Sequence, residues 1–373
     1  MAPITEPSHS PGNELTVHGT LPAGLSGQLL GIGPDVGAQD GVVHSIELDA
    51  GRIIGHRCRL VLTDAVARRL GTEPTRGPRG AGPDIVASNI VAFGGSILAL
   101  GGALAYELTS DLATLRRVDV AGQSRGVAPF PKPDPVTGEL HVLAVGPRGA
   151  HAHVVVSAGA LTRRSRPIAG VASRVTDLAI SRDHVVYAAD GFVGVAARDA
   201  EAQPIWIATG GDAALLVHAH DVGETVVVLT LTPALETWTL HPASRLIRRD
   251  VLDPTPRRFA RTADHRLDQA PRFVWTSGDD TVDKHDLTSA GSVTHIFRQD
   301  RIPGDLAFVA DPARADDADG GWLVGFVHHA SGNYADLVIL DAADIARPAI
   351  ATVQIPECIP RRLHSTWIPS THQ

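Results

Sequence analysis

The sequence predicts an all-β protein. Its apolar segments are short, rich in Val, Ile and Leu, and bounded by turn residues. Gly, Pro and Asp separate them at intervals of roughly ten residues, as consecutive antiparallel strands require. Windows of a dozen residues with a helical apolar period are scarce. In chain order, IVAFGGSILALGGALA (90–105) carries four glycines, so it reads as buried strands divided by a turn, not as a bilayer span. Further strands are expected at HVLAV (141–145), HVVVSAG (153–159), HVVYAAD (184–190) and TVVVLTLT (225–232). WLVGFVHHA (322–330) and DLVILDA (336–342) complete the series, and DAVARRLG (64–71) is the best helical segment.

A sandwich or small barrel would not use so many strands. A closed ring of four-stranded sheets would, at about 50 residues per blade for seven blades. No clean internal repeat is visible, so periodicity alone leaves the blade count open. One domain over 15–373 follows a mobile tail over 1–14, which lacks the basic and apolar regions of a signal peptide.

Of the 373 residues, 43% are hydrophobic, ample for a large core. The net charge of −8 and the scatter of arginines exclude a nucleic-acid surface. Lys132 and Lys284 are the only lysines. The two cysteines, Cys58 and Cys358, do not make a disulfide framework, which points to a reducing cytoplasm. No phosphate-cradling glycine loop, serine-nucleophile elbow or paired-cysteine metal motif occurs.

One loop raises a chemical question. In GVAPFPKPDPVTGEL (126–140) a bulky ring, Phe130, stands between Pro129 and Pro131 in a polar, turn-rich segment. A solvated loop has no use for a phenyl ring.

Several ordered segments resemble the carotenoid cleavage oxygenase family. VHGTLPAGLSGQLLGIGPD (17–35) is similar to its entry segment, with Gly31 where the family carries an arginine. DGVVHSIELDAGRIIGHRCRLVLTD (40–64) and LALGGALAYELTSDLATLRRVDVAG (98–122) resemble the next two motifs. KHDL (284–287), PGDLAFVADP (303–312), DGGWLVGFVHH (319–329), LVILDAADI (337–345) and RRLHSTWIP (361–369) follow in family order. The resemblance spans essentially the whole chain. It implies a seven-bladed β-propeller with its centre on the axis, and a chain shorter than typical members implies trimmed roof loops.

In that family the centre is Fe(II) held by four histidines, which leave coordination positions open for oxygen and substrate. The resemblance places Phe130, Thr176 and Leu215 at three of those four positions and retains only His364. His218 falls where the family has an asparagine. The acidic residues that orient the ligand histidines fall on Gly101, Pro254 and Asp305, of which only Asp305 is acidic. Phe and Leu carry no donor atom, so no cofactor is expected, and Fe(II) only on a relocated site.

His364, Asp305, His218 and Thr176 are the candidate polar and catalytic contacts; His364 is equally a packed core histidine. Phe130, Leu215, Asp177 and His220 are the candidate substrate-binding residues, or else plug the axis and cap a turn. His218 and His220 alternate along a strand and share a face, so with His364 they could rebuild a three-histidine site; a polar strand end beside Asp221 is the alternative. His151 and His153 read as surface histidines, and His328 and His329 face opposite ways.

The expected function is binding, and conversion without iron, of an apolar unsaturated small molecule by cyclisation, isomerisation or elimination in specialised metabolism. The alternatives are a non-catalytic binding or scaffold propeller, and a dioxygenase whose metal sits on other residues. Neither a nucleic-acid partner nor stable membrane insertion is expected.

Overall fold

The computed structural model describes the chain except residues 1–7, 36–39, 80–83, 102–103, 123–125, 147–149, 159–161, 172, 199–200, 212–213, 264–268, 299, 333, 356–358, 361–362 and 371–373. Cys358 therefore lies outside the described residues.

The β-branched segments pair as antiparallel meanders, and these assemble into seven sheets. Blade II is Asn89–Phe93, Ser96–Leu100, Ala105–Leu108 and Thr114–Val118, in that order. Its first hairpin turns on Gly94 and Gly95, at φ +58° and +80°, the left-handed pair that matches the twist of two-residue hairpins. This is how 90–105 resolves into two strands and a turn. Blade III holds Leu140–Val145, His151–Val156 and Arg163–Ile168, with Gly126–Val127 and Lys132–Pro133 both paired to Leu140–Val145. Blade IV comprises Val175–Ile180, His184–Ala189, Phe192–Ala197 and Ile205–Ala208. Leu215–Val222, Thr225–Leu231, Leu235–His241 and Leu246–Asp253 make blade V, and Phe259–Arg261, Phe273–Ser277, Thr281–Asp286 and Gly291–Ile296 make blade VI.

The remaining two blades close the ring with both ends of the chain. Blade VII joins Arg301–Pro303 and Ala307–Ala310 to Gly321–His329, then Ala335–Asp341 and Ala351–Gln354, and ends on Thr16–Gly19 from the N-terminal region. Blade I runs Ser8–Pro11, Arg52–Leu60, Gly41–Asp49 and Gly27–Pro34, and ends on His364–Pro369 from the C-terminal region. Of the tail expected over 1–14, residues 1–7 lie outside the described residues, and over the remainder the expectation is corrected by the strand Ser8–Pro11 and the 3-10 turn Gly12–Glu14. Ser8–Pro11 pairs with Arg52–Leu60, Ser8 opposite Cys58, because the edge of that strand supplies the ladder partners.

The core lies between blades, not at the centre. Leu30 and Ile32 pack on Ile90 and Ala99 between I and II, and Leu100 on Val142 and Val154 between II and III. Leu143 meets Val175 and Leu178 between III and IV, and Val186 and Val193 meet Leu216 and Trp238 between IV and V. Leu229 and Val274 join V to VI, Trp275 and Leu340 join VI to VII, and Val324 and Phe326 meet Leu29 and Leu363 between VII and I. Every gap in the ring carries its own apolar seam, which is what makes the ring continuous. Asp64–Leu70 is the α-helix among the described residues, capped by Thr63 Oγ1 accepting from the Val66 amide and ended by Gly71 at φ +67°. Among the described residues no helix is long and apolar enough to cross a membrane.

Trp238 is 2% exposed in the seam between IV and V and donates its indole N–H to Glu236. Trp238→Ala is expected to cost about 3–5 kcal/mol in urea unfolding, whereas Leu246→Ala, at a site 63% exposed on the outer strand, stays within about 0.5 kcal/mol. Equal effects at the two positions would contradict the seam packing.

Candidate functional site

Seven inner segments converge on the ring axis, and each contributes to one pocket. Asn89–Val91 comes from blade II, Phe130–Pro133 from III, Ala179 and Ile180 from IV, and Leu215–Ala219 from V. Phe259–Arg261 comes from VI, Asp305 from VII, and His364–Thr366 from I. The cavity measures about 220 Å³. That is below the roughly 300–1,000 Å³ of pockets that enclose a drug-sized ligand, so it suits a small molecule or one end of a longer one.

Its wall sets aliphatic and aromatic side chains beside polar ones, Asn89, Lys132 and His218 among them, and an ionic cluster at Asp305. Arg261 donates from Nε to Asp305 Oδ1 at 2.7 Å and from Nη2 to Oδ2 at 2.5 Å, a bidentate fork. The Ser365 amide donates to the same Oδ2 at 3.1 Å, and Arg261 Nη2 also donates to the Ser365 carbonyl at 2.7 Å. His364 Nδ1 lies 3.6 Å from Asp305 Oδ2. Burial alone would raise the Asp305 carboxyl, but the Arg261 charge, His364 and the Arg261 hydrogen bonds outweigh it and hold it well below the usual carboxylate range. The His364 ring meets the edges of two phenyl rings, Phe130 at 5.2 Å and Phe259 at 5.6 Å between centroids, both near perpendicular.

Of the expected contacts, His364, Asp305, His218, Phe130 and Leu215 line this cavity. Thr176, Asp177 and His220 are not on its wall. The Thr176 hydroxyl lies 3.4 Å from the Ala188 carbonyl. Asp177 is buried behind the wall, where its carboxylate accepts from the Leu178 and Leu216 amides at 2.8 and 2.9 Å. His218 and His220 share a face, with ring centroids 5.8 Å apart after a bulge between Leu216 and His218. His218 Nε2 donates to the Gln269 carbonyl at 3.1 Å, while burial, then the neighbouring His218, pulls His220 down to about 4. Three wall residues had not been singled out: Arg261, Phe259 and Lys132. Only Lys132 carried a signal, being one of two lysines and lying two residues from Phe130.

His153 corrects an expectation as well. It is 3% exposed, not a surface histidine. Its Nε2 lies 3.0 Å from His141 Nδ1 and its Nδ1 3.1 Å from the Tyr187 hydroxyl, because the pairing of Leu140–Val145 with His151–Val156 turns both rings to one side. His328 is buried and His329 half-buried, as alternation on one strand requires.

A seven-bladed propeller with a charged axial pocket belongs to a known class. The sequence profile of the retinal pigment epithelial membrane protein family matches residues 1–192 and 195–369, and the chain belongs to that family. A carotenoid cleavage oxygenase of Mycobacterium tuberculosis is 24% identical, covering 100% of this chain and 97% of its own. That alignment runs over 502 positions, more than the 373 residues here, so the relative holds segments this chain lacks. The apocarotenoid-15,15'-oxygenase of Synechocystis is 38% identical over 84 residues, 22% of this chain. A Trp149Ala mutant of the Synechocystis apocarotenoid oxygenase superposes with a TM-score of 0.83 at 19% identity, covering 95% of each chain. The cobalt-substituted form of that protein gives 0.84 at 18%, covering 98% of this chain and 96% of its own.

The expectation of no cofactor is corrected by these relatives. The chain's family is one of oxygenases, and a member has been solved with cobalt in place of its metal. The donor set on this axis does not fit a four-imidazole centre. Around His364 stand the phenyl rings of Phe130 and Phe259, with Leu215 on the same wall. Among the described residues no group of three or more His, Cys, Asp or Glu is arranged to hold an ion. At Gly101, φ is +147° and a Cβ would stand 2.9 Å from the Ala87 amide nitrogen, so this backbone admits no carboxylate there.

Asp305→Asn is expected to cost about 3 kcal/mol, the low end for a broken buried pair, because Arg261 is 29% exposed. The carboxyl's folded value is depressed, so its contribution is present above the unfolded value near 3.9 and fades as pH falls through the folded one. The stability gap between wild type and Asp305→Asn, followed by urea unfolding, should be full at pH 6 and shrink below about pH 4. A gap that widens toward acid would refute the assignment.

Proposed function

We propose that the axial pocket binds an apolar, unsaturated small molecule of carotenoid or apocarotenoid type, or one end of it, and that His364 moves a proton on the bound chain. The observation that carries this is the ionic cluster Arg261–Asp305–His364 on the wall of an axial cavity that also presents Phe130, Phe259, Leu215 and Ile180. The names of the relatives supply the substrate class.

Asp305 faces Nδ1 of His364, which holds the ring by one nitrogen and turns Nε2 away from the carboxylate. A carboxylate on Nδ1 orients an imidazole, the arrangement of a positioned proton donor and acceptor. The near-perpendicular rings of Phe130 and Phe259 limit rotation of the His364 ring. Leu215 and Val217 shape the opposite wall. Proton delivery to a conjugated chain held in one conformer leads to double-bond migration, ring closure or elimination. Thr176 and His220, off the wall, act only through their neighbours in this scheme. The low cysteine content supports a reducing, cytoplasmic setting, and specialised metabolism is the setting such chemistry suits.

A second reading, a binder without turnover, is favoured by the same two phenyl edges against His364 and the small cavity. The test is incubation with a short polyene ligand, following retained ligand by native mass spectrometry, products by chromatography and oxygen by electrode. His364→Gln should lower turnover by roughly 10²–10⁴-fold and leave retention within about twofold. Leu215→Trp, which fills the cavity, should abolish retention. Retention without any product in wild type selects the binder, and oxygen uptake with a cleaved product would replace proton transfer by oxygenation.

A further inference from the structure

Lys132 lines the axial pocket and takes no part in the proton transfer assigned to His364. It sits two residues after Phe130, and the only other lysine, Lys284, is 7% exposed and paired with Asp319 at 2.5 Å in blade VI. The Lys132 ammonium donates to the Leu216 carbonyl at 3.0 Å and stands 4.0 Å from Asp177 Oδ1. Asp177 is buried behind it, held by two backbone amides. The same wall carries Ile180, Leu216, Val217 and His218. A primary amine on the wall of a pocket, with a carboxyl beside it, is the constellation that condenses with carbonyl compounds.

We infer that Lys132 forms an imine with the carbonyl end of a conjugated aldehyde seated in the axial pocket. The inference rests on the proposal that this pocket takes apolar unsaturated molecules, and it names the functional group at the ligand's end. The Lys132 ammonium first yields a proton to Asp177, whose carboxyl burial raises above its ordinary value, against the opposing pull of Lys132 and the two amides. The Nζ electron pair then forms a C–N bond to the carbonyl carbon while the C–O π pair moves to oxygen, and a proton passes from that nitrogen to the oxygen to give a hydroxyl. Asp177 returns its proton to the hydroxyl, which leaves as water as the nitrogen lone pair closes C=N, so a protonated imine is left beside the Asp177 carboxylate. No oxidant or reductant is needed. Arg261, the other cation on the wall, is committed to Asp305 and does not condense.

The test uses the full chain, citral as the probe aldehyde, geraniol as its alcohol, and cyanoborohydride to trap the imine. Wild type should gain one increment, the aldehyde less water plus two hydrogens, mapped by peptide mass spectrometry to Lys132 and not to Lys284. Lys132→Arg, which keeps the positive charge, should lose at least nine-tenths of the adduct while its unfolding midpoint stays close to wild type. Lys132→Met, which keeps the length, should do the same. Asp177→Asn should slow trapping at least tenfold, read by the time course. Excess geraniol should suppress trapping by competition. Binding of geraniol and citral with no adduct, or an adduct confined to the N-terminal amine, overturns the imine and leaves the pocket proposal standing. Failure of both ligands to bind removes the pocket proposal itself.

Discussion

The buried ion pair at the centre of the ring is the interaction on which the rest depends. Asp305 from blade VII accepts from Arg261 of blade VI and from the Ser365 amide of blade I, so one carboxylate joins three consecutive blades. A carboxylate that is 2% exposed survives only when its lone pairs are met, and here three N–H groups meet them. The same contact seats the C-terminal strand His364–Pro369 against Gly27–Pro34, which closes the ring. Closure and site construction are therefore one event. His364 is where it is because the strand that completes blade I is anchored one residue further on.

A second constraint follows from the first. Seven inner strands that meet on an axis leave a narrow space, and what fills it decides its chemistry. Phe130 and Phe259 occupy it with rings set edge-on to His364, and Leu215 adds an aliphatic wall. The cavity thus sets charged groups at Asp305 and Lys132 among apolar side chains. A ligand with a polar end is oriented by such a wall, because a polar end buried against the apolar part would stay unpaired. The two cation–carboxyl pairs, Lys132 with Asp177 and Arg261 with Asp305, differ in that only the second is a fork; the first leaves the amine on a single backbone acceptor with its carboxylate 4.0 Å away.

The strands were legible to within a few residues. TVVVLTLT gave Thr225–Leu231 and DLVILDA gave Ala335–Asp341, because β-branched runs bounded by turn residues have few other solutions. Phe130 was legible as an anomaly, since prolines on either side left its ring no local partner. Phe259 and Arg261 were not legible. They lie on a three-residue strand, too short for a period of two to show, beside polar residues that signal a turn. His153 was misread as exposed because alternation says which residues share a face but not whether another blade covers it.

The amino-acid sequence by itself determined the all-β class, the order of the family motifs, and the absence of donor atoms at Phe130 and Leu215, since each is a property of residue type or local spacing. Only the tertiary structure decided that Arg261 grips Asp305, that Lys132 and His364 face one cavity, and that Ser8–Pro11 is a strand and not a tail. Those pairings join residues 44 to 104 positions apart in the case of Arg261 alone, and contacts across such separations are set by the closure of the ring, which no local pattern encodes.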